Sequence, residues 1–136
     1  MTIAFFSRLF IPFYDNADQK QCLFLRRSQY LSLLPTLMFV HTVFFWLRHP
    51  ESQDDHQALR AGLEGLKSIT DITTAYVGTP ADTRRPVIDH SYDFSLTLVF
   101  ADRAAHDAYQ VHPGHLAFVD KCSHLWERVQ IYDAVS

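Results

Sequence analysis

The stretch Tyr109-Gln110-Val111-His112-Pro113-Gly114-His115 gathers a phenol and two imidazoles into seven residues. An imidazole, with an ordinary pKa near 6.5, takes and returns protons at neutral pH. A phenol donates a hydrogen bond to a developing oxyanion. Together they suit acid–base chemistry beside a carbonyl group. In one continuous helix Tyr109 and His115 would stand about 120° apart, at roughly 100° per residue. Pro113 argues against continuity, because it biases His112 away from helical angles and fits best at the first position of a new helix. The spacing predicts one helix ending near Gln110 and a second starting at Pro113. Such a break turns His115 back towards the face of Tyr109. The competing structural reading makes the two histidines a surface turn and Tyr109 a core filler, or lets Tyr109 and His115 bond each other merely to fix the kink.

His115 also heads a stripe with Val119, Cys122 and Trp126 at i, i+4, i+7 and i+11, which puts it on the apolar side of its helix. His41 lies in a similarly apolar strand. Burying a polar group without a partner costs about 1–3 kcal/mol. His41, Tyr109 and His115 are therefore expected to meet in one pocket between a sheet and the second helix. His115 would serve as base, Tyr109 would bond the enolate oxygen, and His41 would orient His115 or return the proton. His112, Leu59, Leu63 and Trp126 are the expected ligand-binding residues around them. A metal reading would combine His41, His112 and His115. His-x-x-His in a kinked segment, without cysteine or a placed carboxylate, is a weak zinc signal, so no metal and no cofactor is expected. The pair Arg84-Arg85 reads as a solvated loop, and Cys122 as inert packing.

These residues need elements to hold them. Phe39 to Leu47 is rich in β-branched and aromatic residues and ends at Arg48-His49-Pro50, the mark of a first strand. Both of its faces are apolar, so both must be covered. Ser52 or Asp54 caps a helix running to about Lys67, with Leu59, Leu63 and Leu66 on one stripe. Gly62 and Gly65 weaken that helix and suit close approach of a sheet or ligand. Ile72 to Gly78 is a second strand, and residues 79–89, with Pro80 and Pro86, form an exposed loop. Tyr92 to Phe100 alternates as a third strand. Asp102 caps the broken helix, which reaches about His124, and Arg128 to Asp133 closes the chain as a fourth strand. The order β-α-β-β-α-β is the split arrangement of a ferredoxin-like α+β fold with an antiparallel sheet. Its two helices cover one sheet face, so a second copy of the chain is the simplest cover for the other.

Length and charge bound the rest. The chain has 136 residues, enough for one domain with one core. Its net charge of −3 leaves no footprint for nucleic acid. Eight histidines make that charge vary between about pH 5 and 8. Two cysteines, Cys22 and Cys122, make no disulfide framework, and a reducing cytoplasm is expected. Residues 1–37 carry a net +2 against −5 for the remainder, and show no sustained period. They are expected to be an extension outside the fold, with Met38 the natural start and residues 38–136 the domain. No signal peptide is expected, since Pro12 and Asp15 break the apolar stretch after Arg8. The apolar window from Gln29 to Leu47 contains Pro35, His41 and Thr42 and alternates in its second half, so no membrane span is expected either.

Residues 38–136 resemble the stress-responsive α/β-barrel domain family, the dimeric α/β-barrel (Dabb) proteins. The resemblance rests on Met38-Phe39-Val40-His41 opening an apolar strand, Tyr76-Val77-Gly78 at a strand end, and Tyr92-Asp93-Phe94 opening a strand that closes at Phe100. It continues through Ala108-Tyr109-Gln110-Val111-His112-Pro113-Gly114-His115 to Ile131-Tyr132-Asp133. The resemblance implies a homodimer in which two sheets face each other as a barrel, and a pocket for a small hydrophobic carbonyl compound. A plant branch of the family includes olivetolic acid cyclase, a polyketide cyclase that uses no metal or organic cofactor. Its chemistry would fall here on His41, Tyr109 and His115, in aldol- or Claisen-type ring closure or the reverse cleavage. The helix-one aromatics of that branch are replaced near Leu59 and Gly62 by small or aliphatic residues, which implies a different pocket shape. Fold analogy also allows a cofactor-free monooxygenase, and a non-catalytic stress or ligand-binding protein is the other class.

Overall fold

The computed structural model describes residues 37–136. The expectations for residues 1–36 lie outside the described residues. Phe39–Leu47 forms strand β1, whose inward residues Phe39, His41, Val43, Phe45 and Leu47 are buried while Val40, Thr42, Phe44 and Trp46 are half-buried. That two-residue period is the pleat of a strand with unlike faces. Helix α1 spans Gln53–Leu66. The Ser52 hydroxyl caps it by accepting from the Asp55 backbone N–H at 3.2 Å, and Asp54 and Asp55 place negative charge at the positive helix end. Leu59, Leu63 and Leu66 form its buried stripe.

Strands β2 (Ile72–Gly78), β3 (Phe94–Phe100) and β4 (Trp126–Val135) complete one sheet in the order β2-β3-β1-β4. Every neighbouring pair is antiparallel. Between β3 and β4 the chain makes helix α2 (Arg103–Gln110), helix α3 (Pro113–Cys122) and a 3-10 turn over Ser123–Leu125. This is the expected ferredoxin-like βαββαβ order, its second helix broken ahead of Pro113. Among the described residues no helix is long and apolar enough to cross a membrane.

Two strand limits differ from expectation for nonlocal reasons. β3 begins at Phe94 because Asp93 takes over the ladder: its backbone N–H donates to Phe45 O at 2.9 Å, and its carboxylate accepts from Leu47 N–H at 2.7 Å. β4 runs longer than Arg128–Asp133 because it follows β1 along its whole length, from Phe39 opposite Val135 to Leu47 opposite Trp126. Gly62 permits a close approach, but to a helix rather than to a sheet or ligand. A Cβ there would lie 2.8 Å from Cys122 Sγ and 3.0 Å from the Phe118 ring, so α1 and α3 touch at this point.

Candidate functional site

Between the inner sheet face and α3 lies a cavity of about 230 Å³. His41, Tyr109, Gln110 and His115 contribute its polar lining, and residues such as Val43, Phe45, Phe118, Trp126, Val129 and Ile131 its apolar lining. His41 and Phe45 are four residues apart on one strand, about 13 Å at the usual rise. The polar groups therefore sit at one end, and the aromatic cluster of Phe45, Phe118 and Trp126, with ring centroids 5.2–6.5 Å apart, at the other.

Each polar side chain is aimed by its element. His41 is an inward β1 residue directly opposite Asp133 on β4, and its Nδ1–H donates to Asp133 Oδ1 at 2.7 Å. Burial pushes the His41 pKa below the usual imidazole range, and the neighbouring Asp133 carboxylate offsets this only in part. Tyr109, in the last turn of α2, is almost fully buried, 6.4 Å from His41 and 4.6 Å from His115 between ring centroids. Burial pushes the Tyr109 phenol up, so it keeps its proton at neutral pH. His115 lies in the first turn of α3, where its Nδ1 meets the Gln110 carbonyl at 3.0 Å. A carbonyl only accepts, so Nδ1 carries a proton and Nε2 of the neutral ring holds the lone pair. The break at Val111-His112 creates this contact, because it leaves the Gln110 carbonyl available to a side chain of the next helix.

The expected residues divide. His41, Tyr109, His115 and Trp126 line the cavity. His112 does not: its Nδ1 accepts from the Gly114 backbone N–H at 3.0 Å and caps α3, which fixes the helix start. Leu59 and Leu63 are likewise not pocket residues. Both are fully buried in the core beneath α1, because the stripe that reads as a ligand wall is the stripe that packs the helix on the sheet. Trp126 reaches the cavity from the first position of β4 rather than from a helical stripe, since α3 stops at Cys122.

Three polar residues at the site were absent from the sequence expectation. Gln110 lines the cavity. His106 is buried, stacked on Phe39 at 4.3 Å and 5.0 Å from the His41 ring. Its position three residues before Tyr109, hence on the same helical face, was the available signal. Asp133 had no such signal, because its pairing with His41 depends on strand register. The metal reading that would combine His41, His112 and His115 loses two of its members, because His112 caps α3 and the His115 Nδ1 meets the Gln110 carbonyl. His41, His106 and Asp133 instead bring three possible ligand atoms within 4.8 Å of one another.

The sequence model of the stress-responsive A/B barrel domain matches residues 39–136. None of the curated proteins matches the chain. Among solved structures, a Dabb family protein with a ferredoxin-like fold from Mesorhizobium loti is 30% identical, with a TM-score of 0.62 over 74% of this chain and 97% of that one. A hydroxynitrile lyase from Passiflora edulis is 18% identical, with a TM-score of 0.63 over 75% and 95% of the two chains. A dimeric ferredoxin-like protein of unknown function from Thermobifida fusca is 16% identical, with a TM-score of 0.62 over 76% and 94%. At their identities the last two show a shared fold.

Proposed function

The chain belongs to the stress-responsive A/B barrel domain family, and from that premise we propose that its cavity binds a small, mainly apolar carbonyl compound and exchanges a proton beside the carbonyl. The observation that carries this reading is the division of one cavity into a His41–Tyr109–His115 end and an aromatic end. An apolar body would rest against Phe45, Phe118 and Trp126, and its carbonyl would reach the polar end. His115, protonated at Nδ1 by its bond to the Gln110 carbonyl, presents Nε2 as the base. Tyr109 keeps its proton and donates to the enolate oxygen. His41, held by Asp133, orients the site or returns the proton. Making or breaking a carbon–carbon bond next to the carbonyl follows from the same enolate. One neighbour is named a hydroxynitrile lyase, so the fold accommodates a lyase.

The half-buried and exposed aromatics on the outer sheet face, Phe44, Trp46, Tyr76 and Tyr132, support a homodimer formed through that face. The Thermobifida protein is itself described as dimeric.

The test is deuterium uptake from heavy water into the carbon next to the carbonyl, followed by NMR over a panel of small aryl and alkyl ketones. The unmodified chain should accelerate uptake for at least one member. His115→Ala should abolish the acceleration with the fold intact, and Tyr109→Phe should lower the rate more than it weakens binding. Binding without uptake by any ketone would leave a non-catalytic binding protein. Loss of melting temperature in both variants, with no binding, would make the cluster structural.

A further inference from the structure

His106 takes no part in the proton chemistry above, yet the fold buries it against His41 at the edge of the site. The two rings are 5.0 Å apart between centroids and make no hydrogen bond to each other. His41 reaches Asp133 instead, and one possible ligand atom from each of His41, His106 and Asp133 lies within 4.8 Å of the other two. We propose that His41, His106 and Asp133 form a binding site for one divalent transition metal ion such as Zn²⁺, Co²⁺ or Fe²⁺.

The ligand chemistry selects that class. Two imidazoles and one carboxylate suit borderline metals and leave coordination positions open, whereas Mg²⁺ and Ca²⁺ prefer oxygen sets. Neighbouring ligand atoms on a tetrahedral zinc ion are about 3.3 Å apart, from bonds of about 2.0–2.1 Å. The His41 Nδ1 to Asp133 Oδ1 distance of 2.7 Å is about 0.6 Å short of that span, so the two groups need only part slightly to admit an ion. A metal ion at this position replaces the shared proton. His106 must close in from within 4.8 Å, a movement of about 1.5 Å at most.

The surroundings of His106 favour that closure. The Gln110 amide Nε2–H donates to His106 Nε2 at 2.9 Å, so Nε2 holds the lone pair and Nδ1 carries the proton. Nδ1 faces Asp107 Oδ1 at 3.3 Å. A histidine ligand that passes its other N–H to a carboxylate has the usual outer support of a metal site. With Nε2 as the ligating atom, the metal displaces one neutral amide and leaves the ring held by Asp107, with Phe39 stacked on it at 4.3 Å and Phe100 edge-on at 5.4 Å. Access comes from the Asp133 side, whose side chain is 46% exposed. His41 is shared with the cavity, so an ion here would sit at its polar end.

The test uses the full chain stripped with a chelator and titrated with CoCl₂ and ZnCl₂, read by calorimetry and by cobalt absorption. Expected is about one equivalent bound with a Kd below about 10 µM, and cobalt bands of a four- or five-coordinate ion. His106→Gln and Asp133→Asn should each weaken binding by ~100-fold or more, while His49→Ala, on the surface, should bind as the parent does. Parent chain without saturable binding at about 1 mM metal, or both site variants binding like the parent, would overturn the proposal. Should a variant fail to fold, the parent decides alone: Co²⁺ must broaden the ring signals of His41 and His106 ahead of His49 and His90, and uniform broadening counts against the site. Ketone deuterium uptake is measured separately, so failure of either reading is visible without the other.

Discussion

The two faces of the sheet are written in nearly the same residues and end in different states. The inner face of β1 presents Phe39, Val43, Phe45 and Leu47, all buried by helices of the same chain. The outer face presents Val40, Phe44 and Trp46, only half-buried, beside Tyr132 and Tyr76 at more than half exposure. Composition alone does not tell these faces apart. The difference arises because α1, α2 and α3 all return to one side, as the handedness of the split βαβ connection demands. The chain thus encloses the cavity and its histidines on one side and offers an aromatic surface on the other. On the proposed reading, the inner face serves stability and the site, and the outer face serves association.

The comparison breaks most visibly in a matched pair of substitutions. Leu63→Ala, beneath the inner face, should lower unfolding free energy by about 2–5 kcal/mol in urea or guanidinium titrations, through lost burial and the cavity left behind. Phe44→Asp, on the outer face, should instead convert the proposed dimer to a monomer in sedimentation at micromolar concentration while the circular dichroism spectrum keeps its shape. Equal loss of folding in both would show that the two faces do the same work.

An intermediate effect comes from acid. Burial holds the folded His41 pKa below its unfolded value of about 6.5, so the unfolded chain takes up the proton first as pH falls. The stabilising contribution is complete above about pH 6.5 and is lost as pH drops from there through the lowered folded value. Melting temperature should fall as pH drops below about 6.5, and His41→Leu should flatten that part of the profile. A parent profile that rises on acidification would contradict the inner-face assignment. The smallest effect belongs to the outer face, where the Arg128 guanidinium lies 4.1 Å from the Trp46 ring centroid. Arg128→Ala should cost roughly 0.5–1 kcal/mol in thermal or chemical unfolding.

Local chemistry was legible in the sequence and long-range pairing was not. The bounds of β1, β2 and the break at Pro113 follow from alternation, turn residues and proline stereochemistry, all properties of neighbours in the chain. The family resemblance was also visible in short motifs, and the match over residues 39–136 agrees with it. By contrast, Asp133 joins His41 across 92 positions, and Asp93 replaces a ladder partner of β1 from the far end of a loop. No periodicity encodes such contacts, because register is a property of two strands together. Leu59 and Leu63, expected around the ligand, lie outside the cavity lining for a related reason: a helical stripe states that a surface is buried and leaves open whether sheet or ligand buries it.

The chain contains two tryptophans, and the sheet separates them. Trp126 stands between Phe45 and Phe118 at 5.2 and 5.7 Å in the cavity wall. Trp46 lies on the opposite face, its Nε1–H donating to Ser91 Oγ at 3.0 Å beneath Arg128. Emission from this protein is consequently a sum of two optical channels. One reports the polarity and filling of the cavity, and the other reports solvent at the aromatic surface. Replacing either indole by phenylalanine isolates the other, so the proposed occupancy and the proposed association can be followed separately.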